Sequence, residues 1–471
     1  MNAAAAEGAG NTLLHIGLGS FHRAHQAVYL HHLREAGDLG WAIVGGNIRD
    51  DMGDTLAALV AQDGEYTLET VSPAGERRYE RIRSIREVVA FDPQLARLIE
   101  VGAHAATRII SFTVTEAGYY LDAKNRLDLA FADLRADLEG ATRATVYGAI
   151  TAILRVRMAQ TAAPVTLLCC DNLRSNGVRF RAGLLDFLDR RGETALRDWV
   201  EANTTCPSAM VDRITPRPPP EVAERVFAAT GWRDRAPVMS ESFIQWAIED
   251  RFIAGRPAWE CVGVEMVGSV SAHEEAKIRI LNATHSGVAW AGTLRGLGFI
   301  HEGMAVEAIR RIARDYVSDD VIPCLDAPGH PSTIDLARYR DVVLERFGNP
   351  FVRDTNQRVA MDGYSKIPGF IVPTLRERLA GGMPMASTAM LPALFFAFLA
   401  RWHRGELAYA YEDGVMDADA AHSLFAAPDP LAAFCADPVL FGSLAGNETL
   451  FAAVRVADRR VQAFVQGEVD A

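Results

Sequence analysis

Cysteine is scarce in this 471-residue chain. The six present (Cys169, Cys170, Cys206, Cys261, Cys324 and Cys435) form no Cys-x-x-Cys pair and stand beside no histidine-rich cluster. That spacing offers neither a disulfide framework nor the ligands of a structural zinc site, so free thiols in a reducing cytosol are expected. Surplus positive charge is missing as well. A net charge of −12 excludes a general polyanion binder, and no nucleic-acid partner is expected, although a local basic pocket could hold a phosphate. A membrane-spanning run is also lacking. The longest uncharged stretch, Leu379 to Ala400, contains Gly381, Gly382, Pro384 and Pro392 and is densely apolar only in its second half, which reads as a buried helix. The opening MNAAAAEGAG has neither the basic segment nor the apolar core of a secretory leader. A soluble, cytoplasmic protein without a membrane partner is the expectation.

What is present is ordinary globular composition, 49% hydrophobic and 23% charged, in a chain long enough for two or three domains. Leu13 to Gly19 is an apolar run ending in glycines. A helical stretch from about Ala24 to Ala36 follows, then a second apolar run at Trp41 to Val44. Strand, glycine turn, helix and strand in that order open a βαβ unit. Arg108 to Thr115 and Val165 to Cys170 are near-continuous apolar runs, as in strands covered on both faces, with a helix from about Thr142 to Gln160 between them. Beyond Ser271 amphipathic helical segments dominate: Ala276 to Leu294, Met304 to Val317, Asp335 to Phe347 and Ala386 to Trp402. The expected architecture is a Rossmann-type, doubly wound α/β domain over residues 1–272, followed by a mostly α-helical substrate and catalytic domain over 273–471.

Gly17-x-Gly19 ends the first strand, where glycines let the chain turn tightly and let backbone N–H groups approach a pyrophosphate. The third glycine of the usual fingerprint is replaced by His22. The candidate cofactor contacts are therefore Gly17, Gly19, Ser20, Phe21 and Arg23. Asp50, after the second strand, is the candidate acceptor for the adenosine ribose. Arg49 beside it keeps NADP open as an alternative to NAD, because arginine accommodates a 2′-phosphate. Asp171-Asn172 follows a buried strand, where ligands collect in open α/β sheets; Asn172 could donate to a substrate oxygen, while Asp171 reads equally well as a helix cap. The stretch Lys277 to His285 places a lysine, Asn282 and His285 on one helix. At ~100° per residue they fall on one side, Asn282 about 140° and His285 about 80° from Lys277. A helix edge with the lysine in water is the competing reading. Arg358 and Lys366 flank a turn and matter only if they fold back towards Lys277.

Six segments in this order resemble the signatures of the long-chain mannitol dehydrogenases: GLGSFHRAHQ (17–26), TVTEAGYY (113–120), CCDNLRSNG (169–177), CPSAMVDRITP (206–216), KIRILNATH (277–285) and RVAMDGYSKIP (358–368). The resemblance spans about residues 12 to 465. Within the family, the wording LLHIGLGSFHRAHQAVYLHHL, ITPRPPP and TNQRVAMDGYSKIPGFI is similar to the branch that oxidises D-arabinitol to D-xylulose. The resemblance implies NAD-dependent, zinc-independent hydride transfer from a polyol, with no metal ligands. It assigns Lys277 as the base, Asn172 and Asn282 to flank the reacting oxygen, and His285, Arg358, Lys366 and Asp212 to the substrate. Glu116 matches a carboxylate involved in proton release.

Such a base must be neutral at working pH, so its pKa has to fall from about 10.4 towards 7–9, through burial or neighbouring cations. The alternatives are a mannitol 2-dehydrogenase, a hexuronate reductase, a sugar-phosphate enzyme, or a non-catalytic NAD-binding sensor. The partner is thus a small polyol or ketose. A monomer is the simplest expectation, although the sequence leaves the oligomeric state open.

Overall fold

The computed structural model describes residues 10–122, 125–327, 329 and 331–467. The first nine residues, part of the segment read as lacking a secretory leader, lie outside it. Two compact units separate after Ser271; the hairpin turn Pro73–Gly75 groups with the second.

The first unit is built on six strands, labelled β1 (Asn11–Ile16), β2 (Trp41–Gly46), β3 (Ile85–Val89), β4 (Thr107–Phe112), β5 (Val165–Cys169) and β6 (Thr204–Thr205). All pair in parallel, in the order β3-β2-β1-β4-β5-β6. The four apolar runs read from sequence are β1, β2, β4 and β5, while the edge strands β3 and β6 are not among them. Leu14, Ile16, Ile110 and Leu167 are fully buried, as a sheet covered on both faces requires. The order reverses between β1 and β4, and ligands of such sheets bind beyond the carboxyl ends at that point. Gly17 and Thr113 are the residues that emerge there.

Two three-stranded sheets escape the sequence reading. One joins Tyr66–Val71, Arg77–Ile82 and Val238–Glu241, the other Ala209–Asp212, Gln245–Glu249 and Glu265–Val267. Their strands are short and carry charges such as those of RRYERI, so no apolar run or clean alternation marks them. The helix expected over 24–36 is two, Ser20–Ala24 and Gln26–Glu35, broken at His25 (φ −128°, ψ −88°).

The second unit is helical. Helix Ala386–His403 packs along Glu448–Gln466 and Ala283–Leu294, around a core that includes Trp290, Phe395 and Phe434. Among the described residues no helix is long and apolar enough to cross a membrane. Three π-turns stand among the described residues of this unit, at Lys277–Asn282, Tyr316–Val321 and Ile367–Ile371; the first interrupts the helix expected over 276–294, the second begins at the end of that expected over 304–317, and the third lies outside the expected helices. The Ala283 N–H bonds to the Ile278 carbonyl, five residues back. The angles derived at ~100° per residue therefore do not hold here, and the ~140° they gave would have turned Asn282 away from Lys277 and not set both on one side. Five residues of a π-helix make little more than one turn, which sets Asn282 nearly above Lys277.

Asp320 anchors the second π-turn. Its carboxylate accepts from the Thr388 N–H (2.7 Å), the Thr388 hydroxyl (2.8 Å) and Arg378 Nη2 (2.9 Å). Asp320→Ala would leave a buried guanidinium unpaired, and chemical denaturation should report a loss of ~3–5 kcal/mol.

Candidate active site

The turn after β1 is held by side chains from its neighbours. Gly17 has φ +105°, and a Cβ there would lie 2.2 Å from the Thr113 carbonyl oxygen, so only glycine fits. The Gly17 N–H donates to the Gly46 carbonyl (2.9 Å), and the Leu18 N–H to Asn47 Oδ1 (2.8 Å). The Thr113 hydroxyl (2.9 Å) and His15 Nε2 (3.1 Å) both donate to the Gly17 carbonyl. Burial pushes the pKa of His15 down to about 3, with the Gly17 carbonyl pulling the other way, so the ring is neutral and its Nδ1 accepts from the Ser111 hydroxyl (2.8 Å). His22, at the place of the third fingerprint glycine, stacks on His15 with centroids 3.4 Å apart and 14° between planes. A flat ring laid on the strand lets the helix approach where glycine usually does.

Beside Gly19 the space is open, with no atom within 4 Å of a Cβ built there. The N–H groups of Ser20 and Phe21, in the first turn that follows, have no intrahelical acceptor. A dinucleotide pyrophosphate fits this cradle. Arg23 is buried, donating to the Ala236 carbonyl (2.5 Å) and lying over the Tyr66 ring. Asp50 is exposed. Arg49 is engaged by Asp133 (2.5 Å), by the Ala144 carbonyl (3.2 Å) and by the Tyr120 hydroxyl.

Asp171 does not cap the following helix, whose N-cap is Ser175. Its buried carboxylate accepts from the N–H groups of Val114 (2.9 Å) and Thr115 (2.8 Å) and from the Tyr119 hydroxyl (3.0 Å). Burial raises its pKa to about 6, and these donors pull the other way. Asp171 thus clamps the turn in which Thr115 takes φ +65° and from which Glu116 projects as an exposed side chain. Asn172 is exposed at the carboxyl edge of the sheet, and Asp212 is buried at the end of its strand.

In the second unit Lys277 is only 7% exposed, which removes the reading of a lysine in water. Asn282 is half-buried on the same π-turn. His285 Nε2 lies 3.3 Å from Asp354 Oδ2, and its ring stacks on Phe347. Asp354 also accepts from Arg358 Nε (2.7 Å) and Nη2 (2.5 Å). Burial would raise the Asp354 carboxyl, but His285 and Arg358 hold it well below the usual carboxylate range. The His285 pKa is lowered, mainly by burial, so the neutral ring can serve a hydroxyl as donor or acceptor. Lys366 Nζ donates to the Val359 carbonyl (2.8 Å). Burial pushes its pKa down to about 8, with Asp362 raising it and Arg358 lowering it. The motif 358–368 therefore folds back onto the His285 helix through Asp354. The sequence reading passed over Asp354, although its i,i+4 spacing to Arg358 is a legible signal. Among the described residues no group of three or more His, Cys, Asp or Glu side chains could hold a metal ion.

A doubly wound sheet with a glycine turn at its switch point defines a dinucleotide-binding oxidoreductase fold, here joined to a helical unit rich in polar, buried side chains. Comparison with known proteins narrows this. The family profile of the mannitol dehydrogenase Rossmann domain matches residues 11–261, and that of the mannitol dehydrogenase C-terminal domain matches 269–462. A D-arabinitol 4-dehydrogenase of Ralstonia nicotianae is 63% identical over 96% of this chain and 97% of its own length. One from Klebsiella pneumoniae is 55% identical, over 94% and 96%. Among solved structures, the Pseudomonas fluorescens mannitol 2-dehydrogenase ternary complex with NAD and D-mannitol is 32% identical. It superposes with a TM-score of 0.81 over 97% of this chain and 94% of that one. The chain belongs to the mannitol dehydrogenase family and is a polyol dehydrogenase of the D-arabinitol 4-dehydrogenase and mannitol 2-dehydrogenase type.

Gly17→Ala should weaken dinucleotide binding at least ~10-fold in a fluorescence titration while circular dichroism stays unchanged, because the Cβ displaces the turn and not the sheet. Lys366 gives a pH signature. Between about pH 8 and 10.5 the unfolded lysine holds more protons than the folded one, so this group makes stability rise with pH there, its penalty being complete below 8. Thermal unfolding of Lys366→Met across that window should show a less positive slope of Tm against pH than the wild type.

Proposed function

We propose that the chain oxidises D-arabinitol to D-xylulose with NAD, using Lys277 as general base and no metal ion. The support for the substrate is identity of 63% and 55%, over nearly the whole chain, to two D-arabinitol 4-dehydrogenases. The support for the base is a lysine almost fully withdrawn from water on a π-turn that it shares with Asn282. NAD rather than NADP is favoured by the Arg49 guanidinium, which is already neutralised by Asp133 and so is poorly available to a 2′-phosphate.

The cofactor would be held by Gly17, Gly19, Ser20 and Phe21, with Asp50 towards the ribose, and when bound it supplies the hydride acceptor. Lys277 Nζ, neutral before the reaction, takes the proton of the C4 hydroxyl as the carbonyl forms. Asn282, on the same π-turn, donates a hydrogen bond to the oxygen as it gains negative charge, such a donor being worth ~3 kcal/mol, and Asn172 is the corresponding donor that the family resemblance assigns to the first unit. His285 takes a further hydroxyl. Its ring is held by Asp354, which also holds Arg358, and Arg358 and Lys366 are the cations for the remaining oxygens. In the first unit, Asp212 and the exposed Glu116 are the carboxylates that the family resemblance assigns to substrate and to proton release.

A screen of NAD reduction with D-arabinitol, D-mannitol, D-sorbitol, xylitol and ribitol should give D-arabinitol the highest kcat/KM, with D-xylulose as product. A tenfold preference for D-mannitol would overturn the substrate. Lys277→Ala should lower turnover by ~100-fold or more with NAD binding retained, and prolonged chelation should leave the wild-type rate unchanged.

A further inference from the structure

Arg279 lies two residues after Lys277 and is 1% exposed. A guanidinium so deep must be paired, and it is. Its Nε donates to Thr374 Oγ1 (2.9 Å), and Nη1 and Nη2 donate to the two carboxylate oxygens of Glu377 (3.0 and 2.9 Å). Thr374 and Glu377 stand on helix Val372–Ala380, which continues from the third π-turn, and that turn begins next to Lys366. The backbone of Arg279 is held too. A helix returning from five-residue to four-residue hydrogen bonding passes over one carbonyl, and in this stretch the Arg279 carbonyl receives the Tyr316 hydroxyl (3.0 Å). Tyr316 is itself the first residue of the second π-turn.

We propose that Arg279 is a positioning residue: its clamp on Glu377 and Thr374, with the Tyr316 cap, keeps the helix in its wide register at 277–282 and ties the Lys277 turn to the Lys366 turn. The proposal rests on the reading of Lys277 as the base and gives Arg279 no contact with substrate. An unsupported π-turn has poorer hydrogen bonding than the α-helix it replaces, so it needs a partner that the α register would lose. A bidentate arginine–carboxylate pair is such a partner, because its geometry tolerates little displacement. If the register reverted to α, residue 282 would turn away from residue 277, and the lysine and its neighbouring asparagine would no longer share one face.

The test uses the full-length enzyme and two mild variants. Tyr316→Phe removes only the hydroxyl, and Glu377→Gln weakens the clamp at a side chain that is 49% exposed, so both should fold. Each should lower kcat about tenfold with the NAD dissociation constant unchanged. Each should also displace the lysine-like ionisation in the pH–rate profile and speed amide hydrogen exchange across residues 277–284 several-fold. Wild-type kcat and pH profile in both variants would overturn the proposal, whether or not exchange quickens. A fall in kcat with an undisplaced profile, tracking only a lower Tm, would overturn it as well. Lys277→Ala, run alongside, separates the two ideas. If that variant keeps the wild-type pH profile, the base reading fails, while faster exchange with lower kcat in the other two would still report the clamp.

Discussion

A helix that adds one residue to its turn between Lys277 and Asn282 governs the chemistry of the second unit. In an α-helix those two positions would diverge by more than a right angle; the wider turn brings them round towards one side of the helix. The widening costs hydrogen-bond quality, and the surroundings offset that cost through a buried arginine paired with Glu377 and a tyrosine hydroxyl on the Arg279 carbonyl. The packed core of Trp290, Phe395 and their neighbours supplies the rigidity against which these polar groups are set.

The first unit meets a comparable demand with different means. Its glycine turn must leave backbone N–H groups open to a ligand, yet it cannot be loose. The solution loads the opposite side of the turn: the Gly17 carbonyl takes donors from Thr113 and His15, while Asn47 takes the Leu18 N–H. Burial keeps His15 neutral, which leaves it a single N–H to donate and fixes its orientation. Asp171 does the same for the neighbouring turn, where one buried carboxylate gathers two backbone N–H groups and a phenol. Both devices keep the working groups exposed and place the restraint behind them.

Electrostatics in the helical unit is arranged around Asp354. This carboxylate compensates Arg358 and faces His285, so one acid both neutralises the cation and lies against the imidazole. Burial shifts Lys366 downward, and Asp362 only partly opposes it. The unit thus brings together a neutral imidazole, a paired guanidinium and an ammonium near its midpoint at mildly alkaline pH, a set suited to hydrogen bonding more than to charge neutralisation.

The amino-acid sequence by itself determined the four inner strands of the main sheet, because LLHI, AIVG, RIIS and VTLLC are apolar runs satisfied by burial on both faces, whereas the edge strands IREVV and TT carry no such run. It also determined that a lysine, an asparagine and a histidine share one helix, and that glycine must follow the first strand. The tertiary structure decided the rest. Periodicity assumes a uniform helix, so it could not foresee the π-turn at 277–282, whose Arg279 is bonded by residues some 40 and 100 positions away. The role of Asp171 was equally illegible, since cap and clamp differ only in which backbone N–H groups the fold brings to the carboxylate. The short charged strands carried no apolar pattern to read. Local sequence specifies what a segment can become, while long-range hydrogen bonds to buried charges select among conformations of nearly equal local cost.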